Sequence, residues 1–250
     1  MSLLTIILYL LVVIFYNKKS IILILGGFAI SLHAILLYQN IVTASGLNFG
    51  FFNAASMMVW MIAALLLITA IKQRVENLIL VIFPIAAITI GVETYFHTEY
   101  ILAPDIGVSF HILSSIIAYS LLNISALQAI FLAFQDYQLR HKHPISVIKA
   151  LPPLQVMEKL LYQMIALGLI WLSLSLITGV VFIDNLFAQH LVHKTILSVI
   201  AWSVFAILLW GHFSYGWRGK TTIRWTLIGF AVLMLGYFGS KLVLELILHR

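Results

Sequence analysis

The chain has no cysteine, and only 9% of its 250 residues are charged. The first absence excludes disulfides, thiolate zinc sites, iron–sulfur clusters and thiol redox chemistry. The second excludes a water-soluble domain, which needs far more charge to cover its surface. A phosphate-binding glycine loop, a nucleophile–base constellation and a carboxylate pair are also missing, so the sequence displays no catalytic machinery and reads as a non-enzyme. There is no internal repeat, no low-complexity tract and no separate soluble domain. The net charge of +6 does not point to nucleic acid, because the cations sit in short segments between apolar runs, as in membrane proteins.

What is present is apolar length. Hydrophobic residues make up 63% of the chain, and the mean hydropathy is +1.11. They come in long runs rather than amphipathic stripes, and roughly 20 apolar residues cross a bilayer. Unbroken runs exclude a barrel, leaving an all-α, polytopic helical bundle embedded in lipid as a single membrane domain. Eight spans are predicted near 2–16, 20–41, 52–71, 77–97, 108–134, 160–183, 194–215 and 222–248. Residues 1–16 lack a basic n-region and a small-residue cleavage site, so they read as the first span rather than a signal peptide. Segments after the odd-numbered spans carry 11 of the 14 Lys and Arg residues, which predicts that those loops are cytoplasmic and that both termini lie outside. Residues 144–160, interrupted by Pro152-Pro153, read as an amphipathic segment at the inner interface.

Nine histidines are many for so apolar a chain. His141, His143 and His249 fall in polar segments and read as solvated, and His212 as interfacial. His111 opens the fifth span and His193 the seventh. These two helices run in the same direction, so both imidazoles fall at similar depth near the outer surface. Such a pair can supply both axial ligands of a haem; it can equally be two interfacial residues bonded to neighbouring carbonyls. Ser115 and Tyr119 share a helical face with His111, while Leu197, Ile200 and Val204 share one with His193, an apolar wall suited to a porphyrin. His190 reads as a loop residue, a hydrogen-bond partner of a ligand or a ligand itself. His97 stands at the outer end of the fourth span, and His33 lies inside the second, where a helix-to-helix hydrogen bond is as good an account as a functional one. Lys241, with Glu245 four residues on, reads either as an intrahelical pair or as the counter-charge of a haem propionate. Trp60, Trp171 and Trp202 fall within spans, as packing residues or as the lining of a planar cofactor.

Several stretches resemble the cytochrome c assembly family of membrane proteins. LPPLQVMEKLLYQMIALGL is similar to that family's entry into its sixth-span region. TGVVF followed by HKTILSVIAWSVFAILL matches in placement the region around its outer loop and the next helix. GWRGKTTIRWTLIGFAVLMLGYFGSKLVLELIL looks like its closing inner loop and last span, the most specific of the matches. HILSSIIAYSLLNISALQAIFLAFQDYQL resembles the fifth span of a branch of bacterial inner-membrane proteins that includes the HemX-like proteins. The likeness covers residues 107–248, and residues 1–106 agree in hydropathy alone.

The resemblance implies a pair of histidines binding haem b non-covalently near the outer face, at the positions of His111 and His193. Tyr119, Trp171 and Lys241 become expected contacts to the ring or its propionates. It also implies an inner-membrane location and a role in cytochrome c biogenesis or haem homeostasis. One departure is plain: the family's assembly members carry a tryptophan-rich WWD motif in the outer loop, whereas DNLFAQHLVHK is short and has no tryptophan. A haem-sensing, chaperone or regulatory role fits that loop better than haem delivery. Two other classes remain open. A small-solute or ion transporter or channel predicts paired broken helices or midplane acids, for which Gly26-Gly27 and Pro84 are the only hints. A scaffold predicts docking of a cytoplasmic or membrane protein partner through residues 135–159 and the loop from Trp217 to Lys220.

Overall fold

The computed structural model describes residues 1–44, 46–96, 98, 100–102, 105–141, 151–183 and 189–236, with the side chains of residues 189–193 outside that description. Eight helices run through these residues: α1 (Ser2–Ile14), α2 (Lys19–Ile41), α3 (Phe51–Ala70), α4 (Glu76–Tyr95), α5 (Ile106–Arg140), α6 (Leu154–Phe182), α7 (Gln189–Tyr215) and α8 (Lys220–Met234). Six of them, α2 to α7, are long and apolar enough to cross a membrane. α1 is apolar but has 13 residues, fewer than a perpendicular crossing requires. α8 has 15 described residues, and the rest of the span expected there lies outside the described part.

Local chemistry accounts for several helix ends. Pro152-Pro153 stop any helix from entering from upstream, and α6 begins at Leu154 with Pro153 as its cap. Of residues 144–160, expected to lie along the interface, 144–150 lie outside the described residues, and 154–160 form the first turns of α6, which runs on to Phe182. α4 places Glu76 in its first turn and α5 places Arg140 in its last, each sign matched to the helix dipole. α4 passes through Pro84 without ending, and α2 passes through Gly26-Gly27 in the same way.

The chain divides into two compact units, residues 1–105 and 106–250. In the first unit α1 packs on α2, α2 on α3, α3 on α4, and α4 back on α1, a closed ring of four helices. At one end lies a small antiparallel sheet of β1 (Val42–Thr43), β2 (Gly46–Asn48) and β3 (Ile101–Leu102), in that order. Runs this short carry no strand period, so the sheet was invisible to hydropathy reasoning. The Asn48 side-chain oxygen ties it down by accepting the N–H groups of Gly50 and Tyr100, both at 3.0 Å.

The second unit repeats the ring: α5 on α6, α6 on α7, α7 on α8, and α8 back on α5. α5 and α6 form a long antiparallel pair. Gly107 meets Phe182 at one end, Gly168 meets Leu122 midway, and Gln128 and Gln135 donate to the carbonyls of Met157 and Pro152 toward the other end. The first unit buries Thr5, His33, Asn53 and Ser56 and the second Ser120, Gln128, Gln135 and Thr226, while Ile24, Phe28 and Ile88 in the one and Ile130, Ile177 and Trp210 in the other face outward. That inversion of a soluble protein's pattern is the arrangement lipid selects, because apolar side chains gain nothing by leaving it.

Gly168 is the close approach of α5 and α6 midway along the pair: an added Cβ there would stand 2.8 Å from the Leu122 side chain. Gly168→Leu should force the two helices apart and cost about 1–3 kcal/mol. Gly27→Ala, where an added Cβ meets nothing within 4 Å, should be silent. Thermal unfolding of the detergent-solubilised variants reads both, and equal midpoints would contradict this packing.

Candidate functional site

His111 sits in the second turn of α5, half-buried against α6. Its Nδ1 lies 2.9 Å from the Ser175 carbonyl oxygen. A carbonyl only accepts, so Nδ1 carries the proton and a neutral ring keeps its lone pair on Nε2. No hydrogen bond joins Nε2 to a described residue. Around the ring, the Ser115 hydroxyl donates to the His111 carbonyl at 2.7 Å and lies 2.7 Å from the Ser175 hydroxyl, and the Thr178 hydroxyl stands 3.5 Å from Nδ1.

The imidazole lies directly over Gly179. A Cβ added at that position would approach Cε1 to 3.1 Å and Nδ1 to 3.2 Å, tighter than ordinary contact. The missing side chain on α6 therefore makes room for the ring, and the carbonyl one turn earlier fixes its tautomer. A ligating histidine is oriented by such an anchor, its other nitrogen held by a carbonyl.

α5 and α7 stand diagonally across the second bundle, each packed on α6 and α8. Tyr119, buried on α5, reaches across to Ser198 on α7 at 3.4 Å. Trp202 on α7 donates to the Ser173 hydroxyl on α6 at 2.8 Å. These two bonds bracket the level of His111 on α7. His111 precedes Tyr119 by eight residues, as His190 precedes Ser198. On α6, Ser175 follows Ser173 by two residues, which on the antiparallel α7 leads from Trp202 back to Ile200. The backbone of residue 193 lies between those limits.

His193 belongs to α7, but its side chain lies outside the described residues, as do the His190 side chain, His97, Lys241 and Glu245. Trp171 is half-buried on α6. The face formed by Leu197, Ile200 and Val204 meets the last helix at two of its three residues. Added Cβ atoms at Gly236 and Gly229 would each stand 3.1 Å from Leu197 and Val204, so these residues face the last helix, while Ile200 is exposed. Helical spacing showed that the three share a face but not which neighbour that face meets.

The other described histidines have structural partners, and His143 and His249 lie outside the described residues. His33, fully buried in the first unit, has Nδ1 3.1 Å from the Tyr9 hydroxyl and Nε2 3.0 Å from the Ser56 hydroxyl. Tyr9 packs edge-on against Phe83, so all four helices of that ring meet at one point. His33 thus ties three helices together and has no free nitrogen. His212 stacks on Tyr162 at 3.6 Å, and both donate to the Trp217 carbonyl, at 3.0 and 2.7 Å. Glu158 accepts the Gly219 N–H at 2.8 Å, so the turn between α7 and α8 is pinned to the start of α6. Trp60 donates to the Ile30 carbonyl and joins α3 to α2.

Sequence reasoning missed Ser175, Thr178 and Gly179. Their signal was weak, a run of small and hydroxylated residues in an apolar span, and only the α5–α6 pairing gives it meaning. Among the described residues no three His, Asp or Glu side chains cluster as a metal site, and no helix shows the midlength break that a transporter reading predicts.

A multi-helix membrane protein with a carbonyl-anchored histidine in a four-helix unit is the class these features define. The chain belongs to the cytochrome c assembly protein family, which it matches over residues 21–248. That span takes in most of the first unit, where the sequence reading found agreement in hydropathy alone. It is 35% identical over 223 residues to the inner membrane protein YpjD of Escherichia coli strain K12, covering 88% of this chain and 84% of that protein. An uncharacterized 28.8 kDa protein in the nifR3-like 5' region of Azospirillum brasilense is 32% identical over 148 residues, 58% of this chain and 55% of that protein. No solved structure matches. The chain is a multi-pass protein of the inner membrane.

Tyr9→Phe deletes one of the two hydrogen bonds to His33 and leaves a buried nitrogen unpaired. It should lower stability by about 1–2 kcal/mol in thermal unfolding and leave any cofactor spectrum of the second unit unchanged. A spectral change would show that His33 does more than join helices.

Proposed function

We propose that this chain is a non-enzymatic haem-binding membrane protein acting in cytochrome c biogenesis or haem homeostasis, with one axial ligand from His111 and the second from His193. The observation that carries the reading is the His111 anchor: Nδ1–H held by the Ser175 carbonyl, Nε2 presented, and the ring seated over Gly179. Bundles build cofactor sites in their cores from side chains on facing helices, and the bracket of levels on α7 supports a ligand from its first turns. Family membership supports haem as the cofactor. Haem b, when bound, supplies an iron whose two axial positions accept neutral imidazoles.

The protein's own part is positional. Ser175 and Gly179 hold His111 in one tautomer and orientation. Tyr119, through its link to Ser198, ties α5 to α7, and Trp171 is assigned to the ring's surroundings. Lys241 is assigned to a propionate, since an anion placed in lipid requires a cation. With both termini outside, as the distribution of Lys and Arg indicates, the site lies toward the outer face. The short outer loop without tryptophan favours sensing or holding haem over handing it to an acceptor.

Absorption spectra of the purified full-length protein, oxidised and reduced, test the reading. A Soret band is expected in the wild type, lost or strongly shifted in His111→Ala and in His193→Ala, with His190→Ala near wild type. Gly179→Leu, which displaces the His111 ring without removing it, should weaken haem binding about 10–100-fold. Spectra identical to wild type in both His111→Ala and His193→Ala would sink the assignment. An effect in His190→Ala alone would move the second ligand one turn along α7.

A further inference from the structure

The end of the second unit opposite His111 carries a second arrangement, independent of haem. The last turns of α5 and the first turns of α8 enclose a cleft of about 250 Å³, with Arg140, Lys220 and Arg224 around it and Ala133 and Ile223 beneath. Lys220 and Arg224, four residues apart, project from one face of α8, a spacing at which like charges repel unless an anion intervenes. Among the described residues neither has an acidic partner. Asp136, the one carboxylate lining the cleft, is taken by Arg140, whose Nε lies 3.0 and 2.9 Å from its two oxygens. Three guanidinium and ammonium groups against one carboxylate leave the cleft with an excess of two positive charges.

The floor sets the kind of anion. Ile223 belongs to a buried apolar cluster with Leu132 and Met157, and Ile130, Phe134 and Tyr137 continue along α5 as exposed apolar side chains. A charged mouth over an apolar floor, with a greasy track running from it along a membrane helix, suits a molecule that is anionic at one end and acyl beyond. It does not suit a free inorganic ion. Because basic residues collect at this end of the helices, the cleft falls at the cytoplasmic face, where acidic phospholipids meet clustered cations at a membrane surface.

We propose that the cleft between α5 and α8 is a binding site for an acidic phospholipid of the inner leaflet, its phosphodiester held by Lys220, Arg224 and Arg140 and an acyl chain laid along Ile130 and Phe134. The site holds the cytoplasmic ends of α5 and α8 together, two helices that belong to the haem-bearing unit without contributing these residues to it.

Native mass spectrometry of the full-length protein in detergent, titrated with dioleoyl-phosphatidylglycerol, tests the proposal. The wild type should retain this lipid and discriminate against dioleoyl-phosphatidylcholine. Each of Lys220→Gln and Arg224→Gln should weaken retention about fivefold, and the pair together roughly thirtyfold. Both side chains are exposed, so the variants should fold, which circular dichroism checks. Arg218→Gln, an exposed cation that does not line the cleft, should bind within about twofold of wild type. Equal retention by the double variant, equal binding of phosphatidylcholine, or an equal loss in Arg218→Gln would each overturn the site. Inorganic phosphate competing as effectively as the lipid would overturn the lipid and leave an ion site. Haem absorbance is not part of this readout, so its outcome and that of the histidine variants are separable.

Discussion

Within a bilayer no water is at hand for a buried hydroxyl, amide or imidazole, so partners on another helix or on the same backbone become the main source of satisfaction, although Ser120 Oγ and the Oε1 atoms of Gln128 and Gln135 find none among the described residues. That constraint organises both units. In the first, Tyr9, His33 and Ser56 meet at the centre of a four-helix ring. In the second, Ser115, Ser175, Thr178 and His111 satisfy one another along the α5–α6 contact, and Gln128 and Gln135 extend the pairing toward the other end. Apolar packing alone does not choose between lipid and a neighbouring helix. The polar pairs and the close approach at glycine do choose, and they set which helices are neighbours.

The two central histidines make an instructive contrast, because the same residue type serves opposite ends. His33 has both nitrogens engaged by hydroxyls and acts as a strut. His111 has one nitrogen engaged by a carbonyl, which cannot donate, and so its second nitrogen keeps an available lone pair. A hydroxyl partner leaves the tautomer open; a carbonyl partner decides it. The difference between a histidine with both nitrogens engaged and one with a nitrogen left available thus resides in the acceptor chosen by the opposite helix.

Charge gives the molecule its polarity along the membrane normal. Basic residues gather at the ends where α5 and α7 finish and where α6 and α8 begin, and two devices use that end. The Trp217 turn is fastened by Tyr162, His212 and Glu158, and the neighbouring cleft keeps Lys220 and Arg224 unneutralised. The haem reading occupies the opposite end of the same bundle. The proposed ligand site and the proposed lipid site are thereby separated by the length of the helices that connect them.

Apolar length, lack of cysteine and the placement of Lys and Arg were enough to read a polytopic helical protein from the sequence, because the cost of an unsatisfied backbone in lipid leaves few alternatives. His111 could be singled out as well, since an imidazole at the start of an apolar span is conspicuous. What spacing could not supply was the partner of each face. Leu197 and Val204 looked like a porphyrin wall and instead meet the last helix; Ser175 and Gly179 looked like ordinary small residues and instead seat the imidazole. The start of α6 at Leu154, the small sheet around Asn48 and the triad about His33 also depended on contacts distant in sequence. Hydropathy is a property of one segment and survives in the linear chain. The acceptor facing a given nitrogen belongs to two helices at once, and it exists only after they have packed.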